Sequence, residues 1–386
     1  MKFIFVITCY EGVNTGKGGH YYSARTLAET LAESWPEDSF ELLAVGHFFP
    51  SAWRGAAIPV RFVEARSLVA AARECLRVGL ESGPTHVHCF DVKAYFFGQI
   101  IGMRSPVQVS YYLTKPGGAD PGVLYPSPPN LVCFSQENFA AVRRRFWVKS
   151  ERVHLIPQRV AAPAQNRGRV DDLSRFTSGR VVVLRIGRIG RYYRLSLKQT
   201  LGLVRSLRDE GMDAVAVIIG VVEDEAIRAE VASELAAGDL LLTEDKYTMA
   251  ASELIGLADA VVGTGRTLVE AALCKKVLFV PIAGAELPTL VTPENWQQLA
   301  FYNFSERSKL PVVSTMREAV EAIRGGNTVA AEEISGELGL DAAVDAYRGL
   351  YTLGSLRSVS MWDRLVATLA VVRSTIRARL SAGSRS

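Results

Sequence analysis

The sequence predicts an α/β protein made of two domains, each a parallel sheet flanked by helices. Three observations carry this. Short apolar runs alternate with stretches of helical periodicity, the pattern of βαβ units. The alternation pauses over a polar, Arg- and Asp-rich stretch at 161–179 and then restarts. The chain has 386 residues, 48% of them hydrophobic, which suits two cores in domains of about 150–200 residues each.

The elements follow in order. Phe3–Thr8 reads as the first strand, and Gly18-Gly19 opens a helix with Leu27 and Leu31 four apart on one face. Phe40–Val45 and Val60–Val63 read as strands, Leu68–Leu80 as a helix and Thr85–Cys89 as a strand. Val107–Tyr112 and Leu131–Phe134 are further strands, separated by a loop rich in proline at Pro126, Pro128 and Pro129. In the second half, Arg180–Ile186, Ala214–Ile219, Asp239–Leu242, Ala260–Val262 and Val277–Val280 read as strands. Leu195–Asp209, Glu223–Ala236, Met249–Leu257 and Leu268–Cys274 read as the helices between them. The expected domains are 1–162 and 179–345, joined by a linker at 163–178 and followed by a helical segment at 346–386.

Composition removes several classes. The net charge is only +4, too small an excess for a dedicated nucleic-acid binder, and no nucleic-acid partner is expected. The five cysteines are far apart, odd in number and without a C-x-x-C pair, which argues against a disulfide framework or a clustered zinc site. Free thiols fit a reducing cytoplasm. The apolar run at the N-terminus is too short for a signal peptide and reads as a buried strand. Leu365 to Val372, between two arginines, is too short to span a bilayer core of about 30 Å.

Chemistry concentrates in three places. The stretch Arg180 to Lys198 holds six cations and no acid, and places Arg188, Arg191 and Arg194 where a strand ends at Gly187 and a helix begins. Strand carboxyl ends and helix N-termini are where α/β proteins hold anions, and guanidinium forks match phosphate oxygens. This predicts a phosphate site; the competing reading is a solvated basic face, or partners for acids elsewhere. The second place runs from a strand at Ala260–Val262 through Gly263-Thr264-Gly265 into a helix. There Gly265 lets a backbone approach a ligand, and Arg266 follows it. Thr267 could cap the helix with Glu270 completing a capping box; alternatively, Glu270 accepts hydrogen bonds from sugar or ribose hydroxyls. The third place is the glycine-rich loop that ends at Gly18 and Gly19. It lacks the G-K-[ST] ending of a P-loop, because Lys17 is followed by Gly18.

Other features are weaker. His86 and His88 share one strand face without a third metal ligand, and read as interior histidines. Glu223, Asp224 and Glu225 read as an acidic first helical turn. No G-x-S-x-G elbow supports a hydrolase triad, and no metal is expected.

The ordered set of motifs resembles GT-B glycosyltransferases, in particular glycosyltransferase family 4, the group 1 transferases. EAALCKKVLFV, from Glu270 to Val280, is similar to that family's E-A-M-A-C-G-K-P-V-V, with Glu270, Ala271, Cys274 and Lys276 in register. The stretch from Leu131 to Val160 resembles the segment that closes the family's N-terminal domain. Gly187-Arg188 resembles the G-R-L that opens its C-terminal one, and Gly18-Gly19 its N-terminal glycine loop. The resemblance implies two Rossmann-like domains facing a central cleft, with a C-terminal helix crossing back to the first. It implies a nucleotide-diphosphate sugar as donor substrate, a glycan or lipid-linked acceptor, retention of anomeric configuration, and no cofactor or bound metal. Carried over, Arg188 and Arg194 offset charge on the diphosphate, and Glu270 accepts from the ribose. Gly18, Gly19, Gly187, Arg191, Lys198, Gly265, Arg266 and Thr267 would line the donor site. Three positions depart from the family's pattern. Val262 stands where a glutamate is usual, and Tyr193 where a lysine is usual. Thr114 and Lys115 stand nearest the position of an expected histidine. Two other functions share such a fold: a sugar-nucleotide epimerase, and a catalytically inactive protein that binds a glycan or a partner.

The charge is unevenly spread. Residues 348–386 carry seven arginines against one acid, Asp363, a net +6, so residues 1–347 sum to −2. Trp362, Leu365, Val366, Leu369, Val372, Ile376 and Leu380 recur there at helical spacing. Such a stripe packs on the N-terminal domain, or lies on an anionic membrane next to a lipid-linked acceptor. The expected location is the cytoplasm, with the membrane's inner face as the peripheral alternative.

Overall fold

The computed structural model describes residues 1–10, 16, 18–115, 125–157, 160–309, 314–353 and 359–383, with 353 and 374–383 described by backbone alone. The chain divides into two compact units. The first is Met1–Arg159 together with Ala343–Ser386, and the second is Val160–Ala342.

The first unit contains β1 (Lys2–Cys9), α1 (Gly19–Ser34), β2 (Ser39–Gly46), β3 (Val60–Glu64), α2 (Leu68–Ser82) and β4 (His86–Cys89). It continues with α3 (Val92–Gly102), β5 (Ser110–Lys115), β6 (Asn130–Cys133), α4 (Gln136–Arg143) and β7 (Val153–Leu155). The strands pair in the order β3-β2-β1-β4-β5-β6-β7, all parallel. β1 lies at the centre, from Phe3 to Ile7 buried on both faces, which is why it reads as an unbroken apolar run.

The second unit contains α5 (Arg167–Thr177), β8 (Val181–Ile186), α6 (Arg194–Asp209), β9 (Ala214–Ile219), α7 (Glu225–Glu234), β10 (Leu240–Leu242) and α8 (Asp245–Thr248). It continues with β11 (Ala260–Val262), α9 (Arg266–Leu273), β12 (Val277–Val280), β13 (Thr289–Leu290), α10 (Trp296–Phe301), α11 (Met316–Gly325) and α12 (Val329–Leu338). Its strands pair in the order β10-β9-β8-β11-β12-β13, parallel except for β13. In both sheets the chain order reverses beside the first strand, between β1 and β4 and between β8 and β11. Such switch points leave a crevice at the strand carboxyl ends.

After the second unit the chain returns to the first with α13 (Val344–Leu353) and α14 (Met361–Gly383). α13 packs beside α1, and α14 lies along α3. The single helical stretch expected from residue 346 is thus two helices.

Several expectations shift. The expected linker at 163–178 holds α5, capped by Asn166 and anchored by Leu173 in the second unit's core. Only Leu173 and Thr177 of α5 are buried, so its apolar face is too narrow to show a helical period. The strand expected at Val107–Tyr112 begins at Ser110 and runs to Lys115, since Val107 is exposed. The helix expected at Met249–Leu257 is a 3₁₀ segment, Ala251–Leu257.

Candidate functional site

At the second switch point, β8 ends and the chain stays beside β9: Gly187 N donates to Ile219 O at 3.0 Å, and Ile189 N to Val221 O at 2.9 Å. The two segments lie so close that a Cβ at Gly220 would sit 1.9 Å from Gly187 O. On the other side, Thr267 Oγ1 donates to Ile186 O at 3.4 Å, bringing the first turn of α9 to the end of β8. Gly265 precedes α9 with φ +53° and donates its N–H to Asn303 O at 3.0 Å; this positive φ favours glycine. The structure therefore brings Gly187, Gly265 and Thr267 to one switch point.

The arginines of this loop meet acids. Arg188 Nη1 pairs with Glu223 Oε1 at 2.7 Å, its guanidinium lies 4.7 Å from the centre of the Tyr193 ring, and it also bonds the Tyr193 hydroxyl. Arg191 Nε pairs with Asp224 Oδ2 at 2.7 Å, and Arg194 and Lys198 share Glu230 at 2.7 and 3.0 Å. These contacts hold the Asp224 carboxyl below its usual range and bring Glu230 down to about 2. Parallel pairing of β8 with β9 carries the start of α7 to the arginine loop, so acids distant in sequence become neighbours. All four cations thus meet an acid, as the competing reading of partners for acids elsewhere expects. Beside these pairs the side chains of Arg188, Arg191, Arg194 and Lys198 stay 45%, 83%, 53% and 47% exposed.

Beneath the loop lies a cation that sequence reasoning counted but did not place in the site. Arg185 is 3% exposed. Its Nε and Nη2 donate to Ser196 Oγ at 3.1 and 2.8 Å, its Nη1 to Gly187 O at 3.3 Å and its Nη2 to Arg188 O at 3.4 Å. Burial brings its pKa down to about 10, so it stays charged at neutral pH. Among the described residues no carboxylate pairs with it. A charged residue in an otherwise apolar strand was the available signal, since Arg185 shares its side of β8 with the core residue Val183.

Glu270 is buried in α9 and accepts from Arg266 Nε at 2.8 Å, one turn earlier. The capping-box alternative does not hold: the helix starts at Arg266, its cap is Gly265, and Thr267 bonds Ile186 instead. Val262 is buried in the core at the end of β11. The triplet Glu223, Asp224 and Glu225 is a helix start, with Asp224 as cap accepting from Ala226 N and Ile227 N, and Glu225 paired with Arg228. Among the described residues, no group of three or more His, Cys, Asp or Glu side chains is placed to hold a metal ion.

In the first unit, Gly18 caps α1 and Gly19 begins it, following β1; Lys17 lies outside the described residues. At that switch point Asp91 accepts from Thr8 N and Oγ1 at 2.9 Å each and caps α3 through Ala94 N at 2.8 Å. The histidines are interior. His88 Nδ1 bonds the Tyr351 hydroxyl at 2.6 Å and its Nε2 bonds Thr114 Oγ1 at 2.8 Å, while burial lowers its pKa to about 3. His86 Nε2 donates to Tyr351 O at 3.1 Å. The pair thereby fastens α13 to the sheet. Lys115, buried at the end of β5, donates to Asn138 Oδ1 at 3.3 Å.

No family model matches the chain, and no curated protein matches it in sequence. Solved structures do match in fold. Anabaena HepE in complex with UDP-glucose is 13% identical with a TM-score of 0.63, over 92% of this chain and 100% of HepE. A glycosyltransferase from Rickettsia africae is 12% identical with a TM-score of 0.58, over 91% and 98%. UDP-GlcNAc 2-epimerase from Neisseria meningitidis, bound to UDP-GlcNAc, is 12% identical with a TM-score of 0.54, over 92% and 100%. The likeness shows the fold: two parallel-dominated sheets with alternating helices, the α/β fold of these GT-B proteins.

Proposed function

We propose that this chain is a glycosyltransferase that moves a sugar from a nucleotide-diphosphate sugar to a glycan or lipid-linked acceptor, with retention of configuration and without a metal. The observation that carries the reading is Arg185. It is a buried cation with no carboxylate partner among the described residues, directly beneath a loop at a topological switch point. Burying an unpaired charge is costly, and an anion above the loop would offset that cost. The structures of HepE and the Neisseria epimerase, which share the fold, hold UDP-glucose and UDP-GlcNAc.

In the transfer, the bond from the sugar's anomeric carbon to the diphosphate breaks and charge grows on the leaving diphosphate, while the acceptor hydroxyl bonds that carbon from the same face and gives its proton to the departing phosphate oxygen. Fixed positive charge aimed at that oxygen is the main form of help a protein can give. Arg188 contacts the diphosphate in this reading, and Arg185 adds charge from below. Arg191, Arg194 and Lys198 share this work, with much of each side chain exposed beside Asp224 and Glu230. Glu270 takes the ribose hydroxyls while Arg266 holds it in place. Gly18 and Gly19 allow close backbone approach to phosphate or sugar. We place the reaction in the cytoplasm, in keeping with the free thiols.

The epimerase among the similar folds favours a second reading, interconversion of the nucleotide sugar itself. Incubation with nucleotide sugars alone and with acceptor separates the outcomes. Acceptor-dependent release of nucleoside diphosphate supports transfer. An epimeric sugar formed without acceptor supports the epimerase, and nucleotide binding without turnover supports an inactive binding protein.

A further inference from the structure

The C-terminal helix is amphipathic in an unusual sense, because both of its sides are apolar. On one side Val366, Ala367 and Val371 are buried where α14 lies along α3. On the other side Trp362, Leu365, Leu369 and Val372 recur at intervals of three, four and three residues, and each is 40–50% exposed. Met361, which opens the helix, is 86% exposed. The expected single stripe is therefore split: Val366 packs inward, while the other described members face outward.

A second exposed apolar group lies close by. Phe146 is 95% exposed, in the run Arg143-Arg144-Arg145-Phe146-Trp147-Val148-Lys149. Both features are tied to the same short segment. Trp147 Nε1 donates to Tyr125 O at 3.2 Å, and Asp363, in the first turn of α14, accepts from Ser127 N at 2.6 Å.

Cations predominate here: among the described residues Arg143, Arg144, Lys149, Arg364 and Arg373 are exposed, against one exposed acid, Glu151. The only acid of the tail, Asp363, is turned inward and fully buried, where it also accepts from Ser360 N and Oγ. The outward side of the helix thus presents apolar side chains among arginines. A second copy of the chain would bring like charges together and be repelled. A surface of fixed negative charge with an apolar interior suits both components. No described helix is long and apolar enough to cross a bilayer.

We infer that the outer side of α14 and the Phe146 loop form a membrane-binding surface, which rests on the face of an anionic phospholipid bilayer with Trp362, Leu365, Leu369 and Phe146 entering the headgroup boundary. This does not depend on the donor reading. The test is co-sedimentation of the full chain with phosphatidylcholine vesicles, with and without phosphatidylglycerol. The chain binds the anionic vesicles at least ~10-fold more tightly than the neutral ones, and added salt weakens binding. Leu365→Asp with Leu369→Asp, and separately Phe146→Ser, each weaken it by about 10-fold or more. These side chains are exposed, so the ligand-free melting temperature stays unchanged in both variants. A chain left in the supernatant with anionic vesicles, or variants that pellet as the parent does, overturns the proposal. So does a dimer in sedimentation velocity that the Leu365→Asp/Leu369→Asp variant abolishes while vesicle binding persists, because the stripe then belongs to a second copy.

Discussion

The Arg185 guanidinium grips the Ser196 hydroxyl with two of its nitrogens, at 2.8 and 3.1 Å, and turns the remaining donors to the carbonyls of Gly187 and Arg188. Ser196 passes the connection on by donating to Tyr193 O at 2.9 Å. One buried cation therefore braces the whole turn from β8 into α6. Every hydrogen bond made by Arg185 goes to a neutral oxygen, so its charge acts on whatever lies above the turn.

Arg185→Gln tests this. The glutamine keeps a donor for the carbonyls and loses the charge. Affinity for a nucleoside diphosphate falls by at least ~10-fold, about 1.4 kcal/mol, while affinity for the uncharged nucleoside is unchanged. The ligand-free melting temperature moves by no more than about 2–4 °C, the size of a 1 kcal/mol change in a domain of this length. Calorimetric titration of both ligands against both proteins reads the difference. Equal losses for the two ligands would reduce Arg185 to a structural brace.

Arg188→Ala lowers turnover by at least ~10-fold while the fold survives, because hydrogen bonds to charged groups contribute about 1.5–3 kcal/mol each. The Glu223 partner does not change this expectation. A half-exposed ion pair contributes at most about 1 kcal/mol to stability, so its loss is tolerated. Steady-state rates and melting curves on the same preparation check both halves.

Glu270 needs two variants, since it is buried against Arg266. Glu270→Ala removes the buried partner of Arg266 Nε and costs about 3 kcal/mol of stability, which confuses any binding result. Glu270→Gln keeps an oxygen for Arg266. It weakens donor binding by about 10-fold, the loss of one charge-assisted bond to a ribose hydroxyl. Unchanged donor affinity in the glutamine variant removes the ribose role.

The elements that were legible in the sequence are those whose neighbours are close in sequence or whose environment is uniform. β1, β9, β11 and β12 are central or buried strands, and continuous apolar runs announced them. α3 was not foreseen, because VKAYFFGQIIG has almost no polar face to set a helical period. α5 failed for the opposite reason, with too few apolar residues. The charge balance of the site was the largest omission. Arg188, Arg191 and Arg194 looked uncompensated along the chain, and only the parallel pairing of β8 with β9 delivers Glu223, Asp224 and Glu230 to them. The same pairing leaves Arg185, counted among the loop's cations but not placed in the site, as a cation without an acid among the described residues.

His88 gives the first unit a pH dependence. In the unfolded chain its pKa is about 6.5, and in the fold burial lowers it to about 3. The unfolded state therefore binds the extra proton between those values. Stability is fully present above pH ~6.5 and falls as pH drops through that window, by up to about 1.4 kcal/mol per pH unit. His86 shifts in the same direction. Melting temperatures between pH 7 and 5 fall for the parent and fall less steeply for His88→Gln, which carries no titrating ring. Parallel curves for the two proteins would contradict this.

The most direct test of the central claim is a thermal-shift series with nucleotide-diphosphate sugars, each at about 100 times its dissociation constant. A ligand held at the β8–α6 turn stabilises the chain by about 2.7 kcal/mol, and Arg185→Gln loses most of that shift at the same concentration. If none of the nucleotide-diphosphate sugars raises the melting temperature of the parent chain, the donor site proposed at this turn is wrong.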